Sequence, residues 1–465
     1  MPKFYKLKDI DLWFLLSILG LCIVGALTVF STTFSRTEGI SPLFWNHLIF
    51  YGIGALLFSF ISLINPKRIK NLLIIGLTII VTLGSLVLVL LAGTEVYGAT
   101  RWIDLGFFSF QPSEFAKVAI ILVAAFCFGV YKIKHTEKLF DIYNTQIVKY
   151  FDIKRILRSD WLHRTVIAFL FYTTTILLVI KQRSLGNSIL ISLIFFTVLL
   201  FRLKITIENL LLAIPLILGI IISLIDAGNI NSLYGLDTNF NFIGLIVAIG
   251  ILIFLSNKLK LNKILLFVFL IIGLLIPLVL SFAYNSILEP YQRERITTFL
   301  MPSSEASLDE DFNRQMSVMA VGSGRVFGKG FLSGNIVNSG LLPFAFTDFA
   351  FAGFAEQFGF AGSLLIILLY LILIIRMFLI YKNADTDFNK LICIGTIALI
   401  FFNFAQHVAM NLGITPITGV PLPLISYGGS SIVSVFLALG LVNSVNLHSK
   451  DSDVVVENLH KDYGF

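Results

Sequence analysis

Apolar stretches of membrane-crossing length alternate with short polar turns along most of this chain. They fall near residues 11–32, 46–65, 71–92, 112–130, 165–181, 186–202, 207–226, 239–256, 264–283, 348–375, 390–411 and 424–446. A helix crosses the hydrocarbon core with about 17–25 such residues. The pattern therefore predicts an all-α polytopic membrane protein with about 12 transmembrane helices. Composition agrees: 57% of the residues are hydrophobic, 13% are charged and the mean hydropathy is +0.92. These values exclude a soluble globule of ordinary make-up.

Short loops rich in Lys and Arg stay in the cytoplasm. With a cytoplasmic amino terminus, 24 of the 34 basic residues fall on that side, among them Lys3, Lys6, Lys8, the Lys67-Arg68-Ile69-Lys70 turn and eight in 132–164. An even number of spans places both termini in the cytoplasm. The first span follows three lysines, is about twenty residues long and lacks a clean small-x-small cleavage site, so it reads as an uncleaved anchor. The net charge of +7 reflects these turns, and no nucleic-acid motif accompanies it. The chain reads as a single membrane domain over 1–465, without a fixed-period repeat. Its appendages are a cytoplasmic loop at 131–164, a large extracytoplasmic loop at 284–347 and a cytoplasmic tail at 447–465. The 131–164 loop mixes charge with aromatic residues, as an interfacial amphipathic segment or a solvated connector would.

Ten basic residues stay on the outer side against the orientation rule. Arg36, Lys181, Arg183 and Arg314 read as solvated. Arg101, Lys117, Arg293, Arg295, Arg325 and Lys329 sit beside tryptophan, glycine, proline and carboxylates, and clustered cations outside a membrane point to an anionic, phosphate-bearing ligand. The stretch 284–348 concentrates twelve charged residues between nearly charge-free segments. It carries Tyr291-Gln292-Arg293-Glu294-Arg295, the glycine run 322–330 and finally Asp348. The glycine run resembles a phosphate loop only superficially, since Gly330 follows Lys329 where Ser or Thr is needed. A closely packed turn is its plainer reading. Asp348 suits a helix cap as well as a general base.

Upstream, Pro112 suits a first helical turn and Glu114 the positive end of a helix dipole. Glu114 and Lys117 share a face, either as a self-neutralising pair or as part of a site. Trp102 fits an interface anchor equally well. Two prolines and two glycines break the helix pattern in Gly419-Val-Pro-Leu-Pro-Leu-Ile-Ser-Tyr-Gly-Gly-Ser-Ser431, freeing backbone groups that a site or nearby side chains such as Ser426 and Tyr427 must satisfy. Cys22, Cys127 and Cys393 lie far apart without CxxC spacing, so neither a disulfide framework nor a zinc site is indicated. His407, deep in a late span, reads as helix-packing glue.

Taken together, these segments resemble the SEDS family of bacterial shape, elongation, division and sporulation proteins, and lean to its RodA branch. The resemblance rests on Arg101-Trp102-Ile-Asp-Leu-Gly106, Gln111-Pro-Ser-Glu114 with Lys117, Tyr291-Gln-Arg293, Gly322-Ser-Gly324 with Gly328-Lys-Gly330, Thr347-Asp-Phe349 and the 419–431 motif, in the family's order. The Gly-Val-Pro-Leu-Pro-Leu form leans towards RodA rather than the division paralogue FtsW, and both share the Ser-Tyr-Gly-Gly-Ser ending. The resemblance implies a peptidoglycan glycosyltransferase. It would polymerise lipid II, an undecaprenyl-pyrophosphate disaccharide peptide, at the outer face of the bacterial cytoplasmic membrane, beside a class B penicillin-binding transpeptidase. It also implies that Asp348 deprotonates the acceptor sugar, and that Arg101, Lys117, Arg293, Arg295 and Lys329 are candidates for the pyrophosphate. Trp102, Gln111, Glu114, Gln315, Ser426 and Tyr427 complete the candidate substrate-binding set. No cofactor is identified; a divalent cation beside the pyrophosphate would fit the chemistry, but no ligand set for one stands out.

The chain departs from the family pattern in places. Gln182-Arg-Ser-Leu-Gly186 replaces Gln-Pro-Asp-Leu-Gly, Leu342-Pro-Phe-Ala-Phe346 replaces Leu-Pro-Glu-x-His, and the loop's Asp-Pro and Gly-x-Gly-Tyr pieces are missing from 301–314. Two apolar segments between 207 and 283 are extra to the family's usual ten spans. Two other readings remain beside the enzyme: a flippase or transporter for a lipid-linked sugar, and a catalytically silent scaffold of a cell-wall complex.

Overall fold

The computed structural model describes residues 11–34, 39–96, 99–104, 106, 109–129, 160–203 and 308–463. Helices dominate: α1 (Leu12–Thr33), α2 (Pro42–Leu63), a short α3 (Pro66–Ile69), α4 (Leu72–Ala92), α5 (Pro112–Gly129), α6 (Asp160–Lys181), α7 (Leu185–Arg202), α8 (Leu308–Ser323), a short α9 (Asn335–Asn338), α10 (Ala350–Lys382), α11 (Asp387–Asn411) and α12 (Gly429–Tyr463). Among the described residues, nine are long and apolar enough to cross a membrane, and the chain is a multi-pass membrane protein. The spans expected at 207–226, 239–256 and 264–283 lie outside the described residues, as do most of the 131–164 loop and the 284–307 part of the outer loop. Two compact units divide the chain, 1–202 with 313–465 and 203–312, and the second is almost wholly undescribed.

The helix starts follow local chemistry. Asp11 caps α1 by accepting the Phe14 N–H at 3.1 Å, and Thr386 caps α11 through Asn389. Pro112 opens α5 with Glu114 in its first turn, as its sequence predicts. α5 is buried along almost its whole length and packs against α4, α6, α7, α11 and α12. A helix covered on all sides needs no polar face, which is why its apolar run is nearly unbroken.

Cross-links tie alternate helix ends together on two sides. At one end of the helices Arg376 of α10 holds Asp11 through bonds of 2.6–3.0 Å, and Arg202 of α7 meets Asp387 of α11 at 2.9 Å. At the other end Ser430 accepts the Gln111 N–H at 2.9 Å, and Gln357 donates to Ser31 at 3.1 Å.

The structure differs from the sequence pattern in three places. A small antiparallel sheet, β1 (Thr94–Val96), β2 (Ala99–Asp104) and β3 (Ser109–Phe110), fills the connection between α4 and α5. α12 continues to Tyr463, so the segment from 447 is helical in continuation of the last span. α10 runs 33 residues, seven beyond the expected end at 375, and breaks at Gly359 (φ 66°, ψ −160°). Residues 350–357 are buried in protein, and the lipid-facing stripe begins only at Phe360. The apolar run thus joined a protein-encased outer segment to a true span.

Candidate functional site

Asp348 stands two residues before α10, half-buried. The N-cap position of α10 is Phe349, whose side chain makes no capping bond. α11 supplies the partners instead. His407 Nε2 accepts the Phe351 N–H at 3.4 Å and Asn411 Oδ1 accepts the Ala352 N–H at 3.0 Å. The orphan donors of a helix start are thus met from a neighbouring helix.

The loop bearing Asp348 is pinned on several sides. Phe344 C=O accepts the N–H groups of Thr347 (3.0 Å) and Phe349 (3.2 Å), closing a tight turn. Asn411 Nδ2 donates to Asp348 C=O at 3.1 Å, Ser426 Oγ to Thr347 C=O at 2.6 Å, and the Tyr427 N–H to Phe346 C=O at 2.8 Å. Ser426 Oγ also accepts the Leu422 N–H at 2.9 Å. Ser426 and Tyr427 therefore act on the backbone that carries Asp348. The Phe346 ring meets the Tyr427 ring edge-on at 6.0 Å. Burial pushes the Tyr427 phenol up, against a smaller lowering by a hydrogen bond with Asn46, so the phenol is neutral at physiological pH.

Three carbonyls of the broken segment 419–425 are satisfied by side chains from other helices. His407 Nδ1 donates to Val420 C=O at 2.7 Å, Tyr51 donates to Leu424 C=O at 2.5 Å, and Tyr370 donates to Pro423 C=O. Both nitrogens of His407 are spent on backbone groups, so it is packing glue. At Gly419 (φ 65°) a Cβ would stand 3.5 Å from Asp348 Oδ2 and within 4 Å of nothing else. One face of the carboxylate therefore looks over a bare backbone.

Around this centre the other predicted residues divide. Arg101 on β2 donates to the Arg183 C=O in the α6–α7 turn, and its guanidinium lies 6.0 Å from the Trp102 ring. Arg183 itself takes a positive φ of 61°. Gly186, three residues on, packs so closely on the 418–420 segment that a Cβ would lie 2.8 Å from Thr418 C=O. The Arg101–Arg183 corner thus adjoins the Gly419 backbone that flanks Asp348. Gln111 contributes its N–H to Ser430. Gln315 lies exposed on α8, whose Ser317 donates to Asn411 C=O at 2.9 Å. Arg293 and Arg295 lie outside the described residues.

Two predicted cations are engaged with buried carboxylates. Lys117 Nζ lies 2.8 and 2.9 Å from the Glu114 oxygens, with Asn187 and Asn403 at 3.4 and 3.5 Å, and all four side chains are buried. The 2.8 Å contact to Oε2 is ionic only, since that oxygen lacks hydrogen-bond geometry. Lys329 Nζ meets the fully buried Glu356 at 2.7 Å, and Glu356 also accepts the Ile336 and Val337 N–H groups that open α9. The glycine run is a packed turn: at Gly324 and Gly328 a Cβ would stand 2.0 Å from the carbonyls of Ala355 and Gln357. Among the described residues no group of His, Cys, Asp and Glu is arranged to hold a metal ion.

Sequence reasoning missed Asn411 and Gly419. For Asn411 a signal existed: Asn403, His407 and Asn411 recur every fourth residue, which puts three polar side chains on one buried face of α11.

Residues 8–236 and 232–451 match the cell cycle protein family of FtsW, RodA and SpoVE. The chain belongs to that family. Its relatives include the peptidoglycan glycosyltransferase RodA of Treponema pallidum (strain Nichols), 28% identical over 94% of this chain and 98% of the relative. The peptidoglycan glycosyltransferase MrdB of Escherichia coli (strain K12) is 30% identical over 76% and 72%. The fold is similar to that of a peptidoglycan synthase complex that coordinates polymerization and crosslinking, with a TM-score of 0.61 at 22% identity over 95% of this chain and 98% of that one. A crystal structure of the rod shape determining protein RodA of Thermus thermophilus gives a TM-score of 0.54 at 19% identity over 95% and 97%.

Proposed function

We propose that this chain is a RodA-like peptidoglycan glycosyltransferase that polymerises lipid II at the outer face of the bacterial cytoplasmic membrane. The names of its full-length relatives support the activity. The observation that carries the assignment of the site is the state of Asp348. Its backbone is fixed from α11 and from the 419–428 segment, its helix-capping role is filled by other side chains, and its carboxylate lies against side-chain-free Gly419. In the proposed step Asp348 takes the proton of the acceptor sugar's 4-hydroxyl as that oxygen bonds to the donor's anomeric carbon. The bond from that carbon to the pyrophosphate oxygen breaks, and the undecaprenyl pyrophosphate leaves with the electron pair. A positioned general base of this kind supplies about 10²–10⁴ in rate.

Arg101 is the described cation proposed to stabilise the leaving pyrophosphate, with Arg293 and Arg295 as further candidates. Lys117 and Lys329 support the site by neutralising buried carboxylates. The proposed partner is a class B penicillin-binding transpeptidase that crosslinks the new strand, in keeping with the similarity to a synthase complex.

The test is polymerisation of purified lipid II by the protein with that partner, comparing wild type with Asp348→Asn. Polymer from wild type and at least a hundredfold less from the variant, at unchanged thermal unfolding, is the expected outcome. Equal polymer from both removes the base role. Movement of labelled lipid II across vesicles without polymer from either protein replaces the enzyme by a transporter.

A further inference from the structure

The glycine run singled out in the sequence has no catalytic task in this reading, yet it builds an unusual surface. Residues 325–331 form a strap bonded to the break in α10. Phe360 and Ala361 N–H groups reach Arg325 and Val326 C=O at 2.8 and 2.9 Å, and Lys329 and Gly330 N–H groups reach Glu356 and Gln357 C=O at 3.1 and 3.0 Å. This approach requires glycine at 324 and 328. The strap is fixed by its backbone, while the side chains of Val326 and Phe327 point away from the protein. Phe327 is 83% exposed, Val326 55% and the adjoining Phe360 62%.

The height of the strap can be read from α1. Phe331 stacks on Phe30 with ring centroids 6.0 Å apart, and Gln357 bonds to Ser31, so the strap lies level with residues 30–31. The inner end of α1 is marked by the Asp11–Arg376 pair. Some twenty helical residues separate the two levels, about 30 Å at 1.5 Å per residue, which is the thickness of a bilayer's hydrocarbon core. The exposed Phe327 therefore stands at the outer boundary of the hydrocarbon. Below it the stripe Phe360, Leu364 and Leu368 faces lipid without interruption. Arg325 is exposed at the same level, where lipid phosphates lie and where an arginine fork suits them. Aromatic residues favour this boundary.

We propose that the 325–331 strap is a phospholipid seat in the outer leaflet, with Val326 and Phe327 resting among the upper acyl chains and Arg325 on a phospholipid phosphate. The occupant is bulk phospholipid rather than a protein because the patch continues the lipid-facing stripe of α10 and carries a cation at headgroup height. The strap is bonded through Glu356 and Gln357 to the same helix that begins at Ala350, so the seat sets the height of Asp348 above the bilayer.

The experiment places a benzophenone amino acid at Phe327 in the otherwise native chain, reconstituted in vesicles of equal phosphatidylglycerol and phosphatidylcholine, and identifies photoproducts by mass. Phospholipid adducts, enriched at least twofold in phosphatidylglycerol and returning to the bulk ratio in Arg325→Gln, are expected. Adducts confined to a second copy of the chain, or to the transpeptidase when it is co-reconstituted, overturn the proposal, as does reaction with water only. A second measurement guards against misfolding of the labelled chain. Phe327→Asp should polymerise at the wild-type rate in detergent and at least fivefold more slowly in vesicles, and equal rates in both media overturn the height-setting role. Inactive wild type in both media would instead count against the glycosyltransferase reading, leaving the adduct result to judge the seat.

Discussion

Gly419→Ala tests the geometry around Asp348 more sharply than removal of the carboxylate does. The added methyl would stand 3.5 Å from Asp348 Oδ2, an ordinary contact that displaces nothing, and no other atom lies within 4 Å. A hydroxyl giving up its proton must come within about 2.6–3.2 Å of the carboxylate. A methyl on that face occupies the approach and removes water from the oxygen. The rate loss is bounded above by the general-base contribution of about 10²–10⁴. Partial occlusion of one face predicts a fall in kcat/KM of about 10–100-fold, equivalent to about 1.4–2.7 kcal/mol of barrier.

The substitution also forces alanine into φ 65°, at a cost of about 1–2 kcal/mol in folding stability. Gly39→Ala isolates that cost, because Gly39 has φ 78°, a Cβ there would meet nothing within 4 Å, and its place in the α1–α2 connection keeps it out of the site. The two variants should unfold at similarly lowered temperatures in detergent, while only Gly419→Ala loses polymerisation of lipid II. Equal activity in the two variants would refute the claim that Asp348 works across the Gly419 face.

Three further outcomes follow from the same contacts. Ser426→Ala leaves Leu422 N–H and Thr347 C=O without their shared partner, which should cost about 1–3 kcal/mol in thermal unfolding and lower kcat more than it raises KM. Lys117→Met strands Glu114 in a buried site and should destabilise by about 3–5 kcal/mol, with much of the loss recovered when Glu114→Gln is added, as read by thermal unfolding in detergent. The Tyr427 phenol has its pKa raised on folding, so below about pH 10 it is neutral in both states and contributes no pH dependence; above that the unfolded chain ionises first and stability falls with rising pH. Tyr427→Phe should leave the pH–rate profile unchanged from pH 6 to 9 and flatten the alkaline loss of stability.

The spans were legible because lipid imposes one strong rule, about twenty apolar residues in a row. The same rule misled at α10, where the encased segment 350–357 is as apolar as the span that follows, since protein interior and lipid select for similar side chains. Only Gly359 marks the boundary, and a single glycine in an apolar run carries little signal. The 94–110 sheet was hidden for a related reason: its strands are two to six residues long and defined by pairing across the loop rather than by any long periodic pattern.

In the site, sequence singled out the residue types but not their division of labour. Lys117 and Arg101 both looked like phosphate cations, and the structure sets Lys117 among the buried Glu114, Asn187 and Asn403 and Arg101 against the Arg183 C=O. Asp348 looked like a cap because a helix starts beside it; the decisive fact lies 59 and 63 residues away, in an Asn411 that serves both the Ala352 N–H and the Asp348 C=O. The phenylalanines at 344 and 346 gain a role in the same way. Phe344 C=O closes the turn around Asp348, and the Phe346 ring packs on Tyr427. The Phe346–Tyr427 ring contact thus packs the loop whose main-chain bonds carry Asp348. An Asp348 held in that way should tolerate Phe346→Leu poorly and Phe346→Tyr well, because the second keeps the edge-on contact that seats the loop.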